Sequence, residues 1–393
     1  MTEEGAYDVV VFGATGFAGE LTATYLANKA GGDCRWALAG RDLAKLEQVR
    51  RRLAAANPAC ADLPLLRADT AEPETLRELA KSARVVITTV GPYLHHGEPL
   101  VAACAEAGTD YVDLTGEPEF VDRMYAEHHE RAVRSGARIV HAGGYDCVPQ
   151  DLGALFTVKQ LPEGVPVQVK GLVRAGGRIS GGTLHSALNT FTRFREQARA
   201  AARRRELEPG SDRRVRTGVG KPRHDGKAGA WVVPLPTLDP VVIGRSAKAL
   251  ERYGPDFGYT HYAAVKHLPI AVGGALGMAA LFAVAQVPPA RRALLRKLPS
   301  GEGPSAQQRE KSWFRVRFVG VGGGRRVVTE VAGGDPGYDE TAKMLAESAL
   351  SLASDENPAT SGQVTTAQAM GDSLTRRIHD AGITFRLVHA EDA

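Results

Sequence analysis

Residues 8–19, DVVVFGATGFAG, decide the fold of this chain. The β-branched run at 8–12 predicts a short buried strand, and an apolar pattern with helical spacing follows over 17–28. The glycines between them have the spacing G-x-x-G-x-x-G, which lets backbone N–H groups approach a pyrophosphate at the start of a helix. We therefore predict a dinucleotide-binding turn, with a purely structural glycine turn as the alternative. The predicted cofactor contacts in this turn are Gly13, Thr15, Gly16, Phe17 and Gly19.

Strands and helices continue to alternate up to about residue 141. Strands separated by helices form parallel sheets that are covered by helices on both faces. We therefore predict a Rossmann-type, doubly wound parallel sheet in an α/β domain over residues 1–150. The predicted strands lie at 8–12, 35–39, 63–68, 85–90, 111–114 and 138–141.

After residue 150 the pattern changes to α+β. We predict a second domain over 151–393 for substrate binding and dimerisation, with a hydrophobic segment at 268–287. Its predicted elements are a strand at 165–175, a long helix at 183–207, a mobile basic loop at 208–230, a hairpin of 313–319 with 325–331, and a helix at 338–351.

Residues 39–42, AGRD, distinguish between the two nicotinamide cofactors. An NAD enzyme usually carries Asp or Glu at the end of its second strand, where the acid holds the ribose 2′-hydroxyl. Arg41 stands there instead and can pair with a 2′-phosphate, while Asp42 can cap the next helix. We therefore predict NADP(H) as the cofactor. We expect Asp69, after the third strand, to lie near the adenine. The residues expected near the nicotinamide ribose follow the fourth strand: Val90, Gly91 and Pro92.

Composition and charge exclude several classes of protein. The chain has 393 residues and a net charge of +4, too small a basic excess for a dedicated nucleic-acid binder. Its four cysteines, at 34, 60, 104 and 147, are far apart, which argues against a disulfide framework or a zinc ribbon. The first residues contain two acids and no basic segment, so we predict no secretory signal and a cytoplasmic protein.

Motifs along the whole chain resemble those of the saccharopine dehydrogenase-like oxidoreductases. In the first half these are GATGFAGELTA (13–23), AGRD (39–42), TTVGPY (88–93), YVDLTGE (111–117) and GGYDCVPQDLG (143–153). In the second half, SGGT (180–183), GGDPGYDETAKMLAESAL (333–350) and GITF (382–385) resemble the bacterial trans-acting enoyl reductase branch. This chain differs from the pattern in two places. Relatives tend to carry Phe and Ser where this chain has Tyr145 and Cys147, and they tend to carry Thr-Pro where this chain has Thr365-Thr366.

The resemblance implies NADPH-dependent reduction of enoyl intermediates in the synthesis of long-chain or polyketide-derived lipids. The alternatives are a saccharopine dehydrogenase-like reductase of another small substrate, and a non-catalytic, membrane-docked protein that binds a dinucleotide and handles lipid.

Enoyl reduction needs a hydride at the β-carbon, a proton at the α-carbon and a hydrogen-bond donor for the developing enolate oxygen. In a doubly wound sheet, ligands bind beyond the carboxyl ends of the strands. Tyr145 or Tyr93 is the predicted donor, and Asp146 is predicted to orient it or relay a proton. For Asp146, a turn residue bonded to nearby backbone is an equal alternative.

Other catalytic signatures receive little support. No H-x-x-x-H or H-E-x-x-H motif is present, so we predict no metal site. The adjacent His95 and His96 are expected to be a solvated loop pair. The Tyr-x-x-x-Lys spacing of short-chain dehydrogenases recurs at 25–29 and 262–266, and we attribute both to chance.

Residues 268–287, LPIAVGGALGMAALFAVAQV, carry no charge and are long enough to span a bilayer. Arg291 and Arg292 follow, and basic flanks favour anionic lipid. Three interpretations stay open: a membrane span, a contact with the plasma membrane surface, and a helix in the core or at a homodimer interface.

Overall fold

The computed structural model describes residues 5–30, 34–177, 192–226, 228–235, 237–296 and 303–392. These residues form two compact units, and the chain passes between them more than once. Within the described ranges, the first unit takes the chain up to residue 145 together with 199–207 and 338–381. The second unit takes 146–198, 208–337 and the chain from 382 onward.

The first unit is built on a seven-stranded parallel sheet. Its strands are β1 (Tyr7–Phe12), β2 (Trp36–Gly40), β3 (Leu65–Arg67), β4 (Ala83–Thr88), β5 (Asp110–Asp113), β6 (Arg138–Val140) and β14 (Gly362–Val364). Across the sheet the order is β14-β6-β5-β4-β1-β2-β3, and every pair is parallel. Strand order reverses between β1 and β4, as in a doubly wound fold. The predicted Rossmann-type sheet is therefore confirmed.

The first unit also contains helices. They are α1 (Phe17–Lys29), α2 (Leu43–Ala56), α3 (Pro73–Ser82), α4 (Tyr93–His96), α5 (Glu98–Ala107), α6 (Pro118–Ser135), most of α8 (Phe194–Leu207), α13 (Asp339–Ser354), α14 (Thr366–Ala369) and α15 (Gly371–Asp380), with a 3₁₀ turn at Pro58–Cys60. α3, α5 and α6 pack side by side, and α1 packs beside α13. The central strand β1 is fully buried at Val9, Val10 and Val11, as a strand covered on both faces must be.

The second half of the chain returns to the first unit, which differs from the predicted division into 1–150 and 151–393. β14 pairs with β6 and extends the sheet, while α13 packs against α1, β1, β4 and β5. Arg204 of α8 donates from Nε to Asp122 Oδ1 at 2.5 Å, and both side chains are buried. Segments of the two units alternate along the chain, because an apolar sheet face must be covered and any part of the chain can cover it.

The second unit contains an eight-stranded mixed sheet. Its strands are β7 (Val167–Gly176), β8 (Arg214–Gly218), β9 (Arg223–Asp225), β10 (Ala230–Pro234), β11 (Asp256–Val265), β12 (Trp313–Gly322), β13 (Arg325–Gly333) and β15 (Thr384–Asp392). The order is β15-β13-β12-β7-β11-β10-β9, and β8 also pairs with β11. β11 runs parallel to β7 and β8, whereas the other pairs are antiparallel. The predicted hairpin is present as β12 and β13.

Among the described residues, the helices that lie wholly in the second unit are α7 (Val148–Val158), α9 (Asp239–Ala249), α10 (Leu268–Gln286), α11 (Pro288–Arg296) and α12 (Ala306–Glu310), with a 3₁₀ turn at Glu251–Tyr253. α7 packs against β7, β12 and β13, and α9 packs against α7, β8 and β11. These two helices bring polar residues at their first turns to the sheet.

Two predictions for the region between 183 and 230 need revision. The first part of the predicted helix 183–207 lies outside the described residues, and the described helix is α8, beginning at Phe194. The predicted mobile loop 208–230 instead contains β8 and β9. Residues 214–218 pair with 256–260 of β11. A neighbouring strand satisfies the backbone there, and local composition does not reveal that neighbour.

Helix α10 is largely exposed. It is the one helix in the described part of the chain that is long and apolar enough to cross a membrane, and only 12% of its apolar window is buried. Among its exposed apolar side chains are Leu268, Ile270, Leu276 and Phe282. The structure therefore contradicts burial in the core of this chain, while membrane contact and a subunit interface remain proposals.

Candidate active site

The glycine loop between β1 and α1 packs closely on the end of β4. Gly13 has a φ of +89°, in the left-handed region that favours glycine, and its N–H donates to the Ala39 carbonyl oxygen at 3.0 Å. A Cβ on Gly13 would lie 2.7 Å from Val90 Cγ2, and one on Gly19 would lie 2.2 Å from the Gly13 carbonyl oxygen. Packing within the first unit therefore requires both glycines.

Gly16 is in a different situation, because it is exposed and its open side faces no neighbour. It is the N-cap of α1, with φ −83° and ψ 160°, and as a glycine it has no side chain to cap the helix. A Cβ there would meet only the Gly13 carbonyl oxygen, at 3.4 Å. Thr15 beside it is also exposed, and the Phe17 ring packs edge-on against Tyr338 at 4.8 Å. An uncapped helix start is suited to a diphosphate, since N–H groups and the helix dipole both favour an anion.

The end of β2 carries a cation suited to a 2′-phosphate. Arg41 is exposed and makes no ion pair with any residue that the structure describes. Asp42 is the N-cap of α2, and its carboxylate accepts from the Lys45 N–H at 3.1 Å. It is therefore engaged in capping, as predicted. Asp69, half-buried after β3, accepts from the Ala71 N–H at 3.0 Å.

The predicted cofactor residues come together at the carboxyl edge of β1, β2 and β4. Thr89 Oγ1 donates to the Gly13 carbonyl oxygen at 3.1 Å, which joins the end of β4 to the glycine loop. Next along the chain, Val90 is half-buried, and Gly91 and Pro92 are exposed. This edge is where strand order reverses, the usual dinucleotide site of a doubly wound sheet. The residues present thus fit an NADP(H) molecule.

Tyr93, one of the two predicted enolate donors, is buried and its hydroxyl is already engaged. The hydroxyl donates to the Thr88 carbonyl oxygen at 3.0 Å and accepts from the Leu114 N–H at 3.2 Å. These bonds tie the end of β4 to the segment after β5. The geometry therefore favours a structural role for this phenol over donation to substrate.

The YVDLTGE motif also builds the sheet edge. Asp113, fully buried, accepts from Tyr111 Oη at 2.9 Å and the Ala142 N–H at 2.9 Å, and it pairs with His141 Nδ1 at 2.7 Å. Glu117 accepts from the backbone N–H groups of Tyr93 and Leu94, at 3.1 and 3.0 Å, and burial raises its pKa. The motif therefore shapes the loops that follow β4, β5 and β6.

The predicted catalytic loop spans the point where the chain leaves the first unit. Tyr145, half-buried, donates its N–H to Thr341 Oγ1 at 3.1 Å within the first unit. Asp146, the next residue, begins the second unit. The residue is exposed, but desolvation by nearby protein atoms raises the pKa of its carboxyl group to about 6. A carboxyl with that pKa can exchange protons near neutral pH.

The second unit contains a buried titratable cluster that sequence reasoning missed. Asp239 begins α9, while Tyr259 and His261 point from β11. Tyr259 Oη and His261 Nδ1 share a hydrogen bond of 2.7 Å, and His261 Nε2 lies 3.6 Å from Asp239 Oδ2. All three side chains are almost fully buried. Among the described residues, Asp239 Oδ1 and His261 Nε2 have no hydrogen-bond partner, which is uncommon for buried polar atoms.

Burial sets the charge of this cluster. Burial, together with the nearby carboxylates of Asp146 and Asp151, raises the pKa of Asp239 to about 8, against the lowering effect of a hydrogen bond from Thr237. Burial lowers the pKa of His261 to about 4. At pH 7 the cluster therefore holds a protonated carboxylic acid beside a neutral imidazole. Such a pair can store and deliver a proton in a region of low dielectric.

One signal for this cluster exists in the sequence. Residues 256–265 read DFGYTHYAAV, and alternate positions put Tyr259 and His261 on the same face as Phe257, which is buried. Polar groups on an apolar face need a partner. The sequence does not identify that partner, because Asp239 lies on a helix about twenty residues earlier.

Three further sets of residues were singled out in the sequence: two histidines, four cysteines and the segment 180–183. His95 and His96 are exposed on α4, with ring centroids 6.3 Å apart. The four cysteines are free thiols. The segment 180–183 lies outside the described residues.

Comparison with known proteins identifies the class. Residues 9–140 match the saccharopine dehydrogenase NADP-binding domain. A putative trans-acting enoyl reductase of Mycobacterium tuberculosis is 38% identical over 413 residues, covering 97% of each chain. A trans-acting enoyl reductase of Mycobacterium ulcerans is 34% identical over 414 residues, covering 96% of each chain. The apo saccharopine dehydrogenase (L-Glu forming) of Saccharomyces cerevisiae has a TM-score of 0.54 at 12% identity, covering 98% of this chain and 100% of that one, which shows a shared fold.

Fold and cofactor site together define a saccharopine dehydrogenase-like oxidoreductase that uses NADP(H). Within that class, the chain belongs to the trans-acting enoyl reductase family, since the similarity extends over nearly the whole length of both chains. The resemblance seen in the motifs and the NADP(H) prediction made from Arg41 are both confirmed.

Proposed function

We propose that this enzyme reduces the carbon–carbon double bond of an enoyl thioester in the synthesis of long-chain or polyketide-derived lipids, including glycolipids. The observation that carries the proposal is the similarity over 97% of both chains to a putative trans-acting enoyl reductase. The geometry agrees with it, because the cofactor can use a helix start without a side-chain cap and an Arg41 that has no ion pair among the described residues.

NADPH, when bound, supplies the hydride for the β-carbon. The chain must hold the cofactor, stabilise the enolate oxygen and protonate the α-carbon. The start of α1 holds the diphosphate, and Arg41 holds the 2′-phosphate. A hydrogen-bond donor must stabilise the enolate oxygen, and an acid must protonate the α-carbon.

For the enolate donor we propose Tyr145, since the Tyr93 hydroxyl is occupied by two backbone groups. For the acid we propose Asp146, with Asp239 as its proton reservoir. Support comes from the pKa values: at pH 7 Asp239, near 8, keeps its proton, whereas Asp146, near 6, is mostly ionised and must receive a proton before it can protonate the substrate. Tyr259 and His261 act as positioning residues that keep the Asp239 pocket polar and dry.

We also propose that the enzyme is cytoplasmic and contacts the plasma membrane through α10. The exposed apolar side chains of that helix and the basic residues after it support this. A homodimer that buries the same helix is the competing arrangement. Co-sedimentation with anionic liposomes, weakened by salt, is expected for membrane contact. A dimer that does not sediment with liposomes at low salt would contradict it.

Activity is tested by NADPH oxidation, followed by absorbance at 340 nm, with a long-chain enoyl thioester and with its saturated analogue. We expect oxidation with the enoyl thioester only, and deuterium transfer from labelled NADPH to the β-carbon. If the protein binds NADPH and lipid but oxidises no enoyl thioester, the non-catalytic lipid-handling alternative is favoured. If it reduces only a small keto or imino substrate, it is a reductase of another class.

A further inference from the structure

One face of the second unit's sheet carries a groove of about 540 Å³, a volume typical of ligand sites. Alternate residues of β7, β11, β12 and β13 form it. Leu172, Val319 and Val328 contribute an apolar floor. The basic side chains that line it are Lys170, Arg174, Lys266, Arg315, Arg317 and Arg326.

The strand register sets like charges against one another in this groove. Arg174 of β7 lies directly opposite Arg315 of β12. Like charges directly opposite each other on neighbouring strands are destabilising. An anion between the two guanidinium groups would offset this repulsion and stabilise both.

The acidic groups nearby do not neutralise the groove. Glu330, almost fully buried, serves three arginines: its Oε2 lies 3.3 Å from Arg315 Nε and 2.7 Å from Arg317 Nε, and its Oε1 lies 2.5 Å from Arg386. Two other carboxylates are each engaged by one lysine or arginine of the lining, Asp225 with Lys170 and Glu391 with Arg326.

Two cations of the lining have no such partner. Arg174 and Lys266 make no ion pair within the part of the chain that the structure describes. Together with Arg386, seven basic side chains thus face three carboxylates. The groove carries a local positive surplus far denser than the chain's net charge of +4 suggests.

The combination of an apolar floor and basic walls selects an anionic amphiphile. A second copy of the chain would bring the same basic face against itself, which is electrostatically unfavourable. Lys266 at the rim is two residues before α10, whose exposed apolar side chains begin at Leu268. The rim of the groove is therefore continuous in the chain with the most lipid-compatible helix of the second unit.

We propose that this groove binds the head group of an anionic phospholipid, with the phosphate held between Arg174 and Arg315 and the start of an acyl chain along Leu172, Val319 and Val328. This site is independent of the proposed enoyl reduction. It is a specific lipid site, in addition to any non-specific insertion of α10.

Binding is measured by calorimetry on the full chain with NADPH present. The probes are dihexanoyl phosphatidylglycerol below its micelle concentration, dihexanoyl phosphatidylcholine and inorganic phosphate. We expect the phosphatidylglycerol to bind best. The double variant Arg174→Gln/Arg315→Gln should lose about tenfold or more in affinity, because charge-assisted contacts to phosphate are strong. The control Arg51→Gln/Arg77→Gln removes the same charge from exposed helix positions in the first unit and should bind like the wild type.

Thermal unfolding, followed by circular dichroism, checks the folding of every variant. If the double variant does not fold, Lys266→Glu decides, because that side chain is exposed and its replacement leaves the sheet packing intact. Phosphate binding as tight as phosphatidylglycerol, equal loss in the control, or a dimer that excludes the lipid would overturn the proposal. Phosphatidylglycerol binding by a protein that reduces no enoyl thioester would refute only the proposed function.

Discussion

The glycine loop of the first unit and the Asp239 cluster of the second unit use different parts of the chain as functional groups. The loop acts through backbone groups, which occur at every residue and are exposed by three glycines within seven positions. The cluster acts through side chains from α9 and β11, which only folding brings within 4 Å. A site made of backbone groups can therefore be predicted from a short stretch of sequence, whereas a site made of distant side chains can be located only once the whole unit has folded.

The largest effect we expect is on the proton pathway, from Asp239→Asn. An amide cannot resupply the proton that Asp146 delivers, and general acids typically contribute 10²–10⁴-fold in rate. Turnover should fall in that range with NADPH affinity unchanged. In the wild type, activity should fall as the pH rises through about 8, where Asp239 loses its proton, and this limb should vanish in the variant.

Asp256→Asn is the matched control, because Asp256 is a half-exposed carboxylate paired with Arg216 in the same unit. It should keep both the rate and the pH profile. An Asp239→Asn enzyme with wild-type turnover would show that the cluster is structural. The glycine loop would then be the functional site of the two.

Tyr145→Phe tests the loop that joins the two units in the chain. Losing one donor to a developing oxyanion typically costs 10²–10³-fold in rate. We expect lower turnover with unchanged NADPH binding. Tyr93→Phe is the comparison, and it should lower thermal stability more than rate, since its hydroxyl bonds two backbone groups. If the two variants exchange these phenotypes, Tyr93 is the donor.

Gly16→Val tests whether the loop binds through its backbone. A Cβ at this position meets no side chain, so the fold should survive, while the valine covers the start of α1. We expect NADPH affinity to fall by about 100-fold, equivalent to about 2.7 kcal/mol. Gly218→Val, on β8 with open space around it, should bind NADPH normally. Normal NADPH binding by the Gly16 variant would leave the loop as a structural turn only.

The smallest effect concerns cofactor choice. Arg41→Asp should weaken NADPH binding by more than about tenfold, through loss of a charge-assisted phosphate contact, and leave NADH binding unchanged or improved. Arg51→Asp removes a similar exposed charge on α2 and serves as the control. Equal affinities of the wild type for NADH and NADPH would show that Arg41 does not read the 2′-phosphate.

Several features of the site could be predicted from the sequence, and for the same reason in each case. Gly13, Gly19 and Arg41 lie at fixed offsets from two short apolar strands, of which the first is a β-branched run, so their position at the sheet edge follows from the pattern alone. Tyr93 illustrates the opposite. Its place after the fourth strand was predicted, but its hydroxyl partners, the Thr88 carbonyl and the Leu114 N–H, follow from how two loops meet.

The sequence by itself determined the parallel sheet, the glycine loop, the NADP(H) preference and the uncharged segment at 268–287, because periodicity, turn chemistry and composition are local properties. The tertiary structure decided that 338–381 complete the first unit, that 208–230 contain strands, and that Asp239 meets His261. It also decided that Arg174 of β7 lies opposite Arg315 on the adjacent strand β12. Strand register and helix packing are set by burying surface over the whole unit, so contacts between distant residues appear only once the chain has folded.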